Sequence, residues 1–120
     1  MSRIALLGLS EELAQPLAQV LRAESHQVVR KVYVQDLQHG PAPDAVFISG
    51  DNQEFCGTIA QLRESQPGLP VVVVTRQPGT RHWLDALDAG AADYCGAPFE
   101  RVQVRWIMQS VVRSDKRAAA

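Results

Sequence analysis

The sequence predicts a single α/β domain built on a five-stranded parallel sheet with helices on both faces, and three observations carry that reading. Short apolar runs alternate along the chain with longer amphipathic ones, the pattern that successive βα units produce. The run Val71 to Val74 is apolar at every position, as a strand covered on both faces requires, whereas a half-solvated strand would alternate. At 120 residues and 46% hydrophobic content, the chain suits one ordinary core and is too short for two domains.

The elements follow in order. Apolar runs place strands at Ile4 to Leu7, Val28 to Tyr33, Ala45 to Ile48, Val71 to Thr75 and Asp93 to Cys95. Amphipathic stretches place helices at Glu12 to Glu24, Gln53 to Ser65, Arg81 to Asp88 and Phe99 to Arg113. Pro16 marks a kink or an irregular first turn in the first helix. Only VQDLQHGPAP separates the second strand from the third, so the second helix is expected to be a turn or two, or absent. With right-handed crossovers and strand order 2-1-3-4-5 the sheet is flavodoxin-like, and any site falls at the carboxyl ends of strands 1, 3 and 4. The expected domain is 1–113. The tail SDKRAAA, 114–120, lacks apolar periodicity and reads as a linker or truncated end.

Composition excludes several functions. A formal net charge of -1 creates no bulk field toward nucleic acid or an anionic membrane, so direct nucleic-acid binding is not expected. No apolar stretch approaches the ~20 residues needed to span a bilayer, and IALLGL is too short for a signal-peptide core. A cytoplasmic protein is expected. Cys56 and Cys95 lack metal-ligand spacing and read as two small buried hydrophobes, with neither a disulfide nor a redox role. No metal and no cofactor are expected, and neither G-x-G-x-x-G nor a P-loop is present.

Between Pro70 and Phe99 the chain reads PVVVVT, a loop and short helix, then DAGAADYCGAPF. This resembles the second half of a response-regulator receiver domain, where a buried strand ends in Thr, an Ala-Gly-Ala-(Ala/Asp)-Asp-Tyr segment enters the next strand, and Lys-Pro-Phe follows. The resemblance extends from Arg3 to about Arg113 and implies a (βα)5 receiver sandwich with a cis peptide between Ala97 and Pro98. Receivers catalyse their own phosphorylation. A strand-3 aspartate attacks the donor, two acidic residues after strand 1 hold Mg²⁺, and a lysine and the strand-4 hydroxyl bind the phosphoryl oxygens.

Matched residue by residue, the acidic pair falls on Gly8 and Leu9, the nucleophile on Ser49 and the lysine on Ala97; Thr75 alone keeps its chemistry. Tyr94 occupies the place of the aromatic that changes rotamer on activation, so Thr75 and Tyr94 are switch-like remnants. The run GDNQEFCG is about two residues shorter than the family's loop and lacks its proline and Asp-Gly. Ser49 as a nucleophile would need a base, for which His82 is the histidine on that edge; the plain alternative is a small polar strand-end residue. A lone Asp51 beside Leu9 is a poor Mg²⁺ site. The Arg76 guanidinium can reach Asp51 across the emptied pocket, the alternative being a solvated loop arginine.

The last helix supplies a second expectation. At about 100° per residue, Val104, Ile107, Met108, Val111 and Val112 form the stripe facing the sheet, while Val102 and Trp106 fall opposite. Val102, Trp106, Arg101 and Arg105 are the candidate interface, with a homodimer through this helix; Trp106 folded onto strand 5 is the alternative. Trp83, four before Leu87, is expected in the core.

The resemblance together with the missing site residues implies a pseudoreceiver. Such a protein is a non-catalytic module of two-component-type signalling, not an enzyme, regulating an attached or partner output protein, transcriptional in kind, through protein contacts. Two alternatives stay open. One is a small-ligand binder or enzyme using the pocket above Gly8, Ser49 and Thr75, and the other is a stand-alone adaptor.

Overall fold

The computed structural model describes residues 2–51, 54–76 and 80–119, without the side chains of 80–82 and 112–119. Strand β1 (Arg3–Leu7) leads into α1 (Glu11–Ala23), β2 (Gln27–Lys31), a short 3-10 helix (Val34–Gln38) and β3 (Ala45–Ser49). Then come α2 (Phe55–Ser65), β4 (Val71–Thr75), α3 (Thr80–Ala89), β5 (Asp93–Gly96) and α4 (Arg101–Ala119). All strand pairs are parallel, in the order β2-β1-β3-β4-β5. This is the expected flavodoxin-like sheet.

Alternation along the strands divides the core in two, because successive side chains point to opposite faces. Ile4, Leu6, Phe47, Val72, Val74 and Cys95 pack under α1 and α4 against Leu13, Leu17, Leu21, Val104, Ile107 and Met108. Ala5, Leu7, Val46, Ile48, Val71 and Val73 pack on the other face against Leu37, Phe55, Ile59, Leu62 and Ala86. The unbroken apolar runs thus serve two separate cores.

Several boundaries and environments differ from expectation. β2 ends at Lys31, and Val32 and Tyr33 lie exposed beyond it. The second helix is as short as expected, a 3-10 helix of five residues that buries only Leu37. Pro16 lies inside α1, which continues through it. α4 runs to Ala119, past Arg113. Trp83 is 43% exposed, because Ala86 is the α3 residue that faces the sheet. Cys56 is only half-buried, while Cys95 is buried and its burial pushes the thiol up to about 11. The Val112 side chain lies outside the described residues.

Helix ends set the strand entries. α3 closes with Gly90 at φ +109, where the Gly90 amide donates to Leu87 and the Ala91 amide to Ala86, each at 3.0 Å. This glycine-centred stop needs a left-handed residue, which explains the glycine of DAGAADY. Gly50, after β3, has a different reason: a Cβ there would lie 2.7 Å from Val73 Cγ1. The Ala97–Pro98 peptide is cis.

Candidate functional site

The carboxyl ends of β1, β3, β4 and β5 bring the expected positions to one edge of the sheet. Ser49 closes β3 and Thr75 closes β4, with Thr75 only 1% exposed. Gly8 follows β1 at φ +64, a left-handed backbone position, and carries no side chain into the space. Leu9 and Ala97 pack against the core under α1 and α4. Both are partly buried there.

Asp51 occupies the centre of what remains. Its Oδ1 accepts the Thr75 hydroxyl, and both its oxygens accept the Arg76 amide at 3.2 Å. The Arg76 Nε donates to Asp51 Oδ2 at 3.2 Å, and Nη1 continues to Glu12 Oε2 on α1 at 2.5 Å. The Ser49 hydroxyl accepts the Asp51 amide at 3.2 Å, which fixes the turn that aims the carboxylate inward. The guanidinium therefore bridges the two loops and the first turn of α1. Hydrogen bonding to Glu12, and secondarily to Asp51, raises the Arg76 pKa further above its ordinary value.

This arrangement satisfies a carboxylate without using it. Asp51 takes a hydroxyl, an amide and a guanidinium, so its lone pairs are directed into the protein. Among the described residues no group of His, Cys, Asp and Glu is arranged to hold a metal ion. The His82 side chain, the base available to Ser49 from sequence, lies outside the described residues. Tyr94 turns inward: its ring packs near Gly50, and its hydroxyl is buried without a hydrogen-bond partner among the described residues.

The interface candidates divide. Val102 and Trp106 are exposed at 53% and 69% and point away from the sheet. Arg101 and Arg105 are instead paired within the chain. Both reach Glu24 at the end of α1, at 2.6 and 2.9 Å, and Arg101 Nη2 also donates to the Ala23 carbonyl at 3.2 Å. Sequence reasoning missed Glu24 because it lies 77 residues from Arg101, with no local pattern joining them. It also missed Glu12 as the far anchor of Arg76.

Among the described residues no helix is long and apolar enough to cross a membrane. No protein-family model matches the chain. The virulence transcriptional regulatory protein PhoP of Salmonella typhimurium is 29% identical over 83 residues, which is 69% of this chain and 37% of PhoP. NtrX from Brucella abortus superposes with a TM-score of 0.87 at 17% identity, over 98% of this chain and 29% of NtrX. A CheY-like receiver domain protein from Methanospirillum hungatei superposes with a TM-score of 0.81 at 14% identity, and a receiver domain protein from Clostridium thermocellum with 0.84 at 12%. Each of these last two is covered almost end to end, at 98% and 99% of its length. The chain therefore has the fold of the response-regulator receiver domains.

Proposed function

We propose that this domain is a pseudoreceiver, a non-catalytic signalling module that acts through protein contacts and without aspartyl phosphorylation. One observation carries the reading: Asp51 bonds the Thr75 hydroxyl from within the pocket, where a receiver's phosphoryl oxygens would bind the strand-4 hydroxyl. Gly8 and Leu9 supply no carboxylate for Mg²⁺, Ser49 stands at the nucleophile position and Ala97 supplies no phosphoryl clamp. Asp51 and Arg76 replace the transient charge of a phosphoryl group with a permanent ion pair, so Thr75 and the inward Tyr94 rest in one state.

The output is a protein contact. The domain regulates an attached or partner output protein, transcriptional in kind by its likeness to PhoP, from the cytoplasm. Val102 and Trp106 form the outward part of a contact with a second copy, while Arg101 and Arg105 hold α4 on α1 behind it.

Incubation with acetyl phosphate and Mg²⁺ followed by intact-mass spectrometry tests the chemical part. The mass is expected to stay unchanged. A stoichiometric gain that disappears in Ser49→Ala or Asp51→Asn would overturn the reading.

A further inference from the structure

The amino ends of β4 and β5, at the opposite end of the sheet from Asp51, border a cavity of about 340 Å³, within the range of small-molecule sites. Its walls come from the last turn of α2, the loop before β4, the residues between α3 and β5, and α4. Val71 and Val111 are buried and Leu69 packs partly buried against the core, so one side of the cavity is apolar. Arg63 and the Ser110 hydroxyl line it as well.

Arg63 sets the chemistry. Arg30, Arg76, Arg101 and Arg105 each reach a carboxylate, whereas Arg63 has neither an ion pair nor a hydrogen bond among the described residues. Its side chain lies across Gly90, where a Cβ would collide with Cδ, Cζ and Nη1 of Arg63. The glycine that closes α3 thus also gives the guanidinium a shelf to rest on. Placed there without an acceptor, the fork of N–H donors stays available to a group entering the cavity. A carboxylate takes two parallel hydrogen bonds from such a fork, and the apolar wall shelters a hydrocarbon body beside it. An ammonium ion would meet a like charge in Arg63.

We propose that this cavity binds a small carboxylic acid anion with an apolar body, Arg63 taking the charge and Leu69, Val71 and Val111 the body. The site lies apart from the Asp51 cluster and does not depend on the signalling role argued above. Ser110 stands one turn past Trp106 on α4, so a bound acid touches the helix that carries the proposed contact.

Amide spectra of the uniformly ¹⁵N-labelled full chain, titrated with sodium phenylacetate and separately with phenethylammonium chloride at matched ionic strength, test the proposal. Phenylacetate is expected to give saturable shifts at the amides of Gly68, Leu69, Gly90 and Ser110 and at Arg63 Nε in the millimolar range, and phenethylammonium to bind more weakly. Arg63→Gln should weaken phenylacetate binding up to about fivefold, as loss of one exposed ion pair predicts, with Arg63→Lys between the two. The Arg63 side chain makes no bond within the fold, so the spectra of both variants should otherwise overlay the parent's. Absence of saturable shifts, equal binding of phenethylammonium, or unchanged affinity in Arg63→Gln would each overturn the assignment. The same shifts on concentrating the protein without acid would overturn it too, giving the site to a second copy. Phosphorylation by acetyl phosphate would overturn the pseudoreceiver reading and leave this one standing.

Discussion

Asp51 reaches from the loop after β3 to accept the hydroxyl of Thr75 at the end of the neighbouring strand β4, and the next amide, of Arg76, is bound by the same carboxylate. The bond adds a side-chain link between two strand ends whose backbones already meet, the Gly50 amide donating to the Val74 carbonyl at 2.7 Å. Its position is held from both sides, by the Ser49 hydroxyl at the Asp51 amide and by the Arg76 guanidinium on Oδ2. The Thr75 hydroxyl is therefore held by groups of the chain itself.

Replacing Asp51 with Ala removes one charged acceptor shared by three donors. A loss of about 1–2 kcal/mol of stability is expected, measured by urea unfolding. Asp51→Asn keeps the shape but not the charge and should fall between parent and Ala. Arg76→Ala should cost less than Asp51→Ala, because its guanidinium is exposed and solvent screens the pair. If Arg76→Ala proves the more damaging, the cluster is held by the guanidinium bridge to Glu12 and not by Asp51.

Tyr94→Phe deletes a buried hydroxyl that has no hydrogen-bond partner among the described residues. A buried donor without a partner already carries its desolvation penalty, so the substitution should be neutral or stabilising by up to ~1 kcal/mol. Tyr94→Ala, which removes the ring near Gly50 as well, should cost about 2 kcal/mol or more. A clear loss of stability in Tyr94→Phe would show that the hydroxyl is bonded in solution.

Glu24 gives the fold an acid-sensitive joint between α1 and α4. Hydrogen bonds from Arg105 and then Arg101 lower its carboxyl from the ordinary 4.5 to about 2. The folded value lies below the unfolded one, so this contribution is complete above the ordinary value and is lost as pH falls toward 2. Thermal midpoints of parent and Glu24→Gln should differ by a constant amount above about pH 5 and converge as pH falls toward the folded value. A gap unchanged across the range would mean that Glu24 acts by packing and not by charge.

Legibility in the sequence followed the range of the interaction. The strands, their parallel order and the shortened second helix were readable, because apolar runs and the length of VQDLQHGPAP are local features. That Gly8, Leu9, Ser49 and Ala97 carry no charge is plain in the sequence, but not that Leu9 and Ala97 pack, partly buried, against the core under α1 and α4. Glu12 with Arg76 and Glu24 with Arg101 meet across 64 and 77 residues, and no periodicity encodes such pairs. Trp83 misled for the opposite reason. Its spacing to Leu87 is a genuine helical pattern, yet both residues lie on the flank of α3 and the small Ala86 takes the core position.

The outward face of α4 yields the remaining prediction. Val102 and Trp106, one turn apart, are exposed at 53% and 69%, while the buried stripe is made by Val104, Ile107, Met108 and Val111. Trp106 thus contributes little to the domain's own core. A buried Trp at the centre of a contact commonly contributes ~2 kcal/mol or more of binding, over tenfold in affinity. If two copies meet on this face, Trp106→Ala should convert dimer to monomer in sedimentation velocity and leave the thermal midpoint of the monomer unchanged. Glu24→Gln, which loosens Arg101 and Arg105 behind the same helix, should lower the midpoint at neutral pH without abolishing association. A Trp106→Ala protein that unfolds several degrees earlier with its association state intact would place Trp106 in the fold and not in an interface.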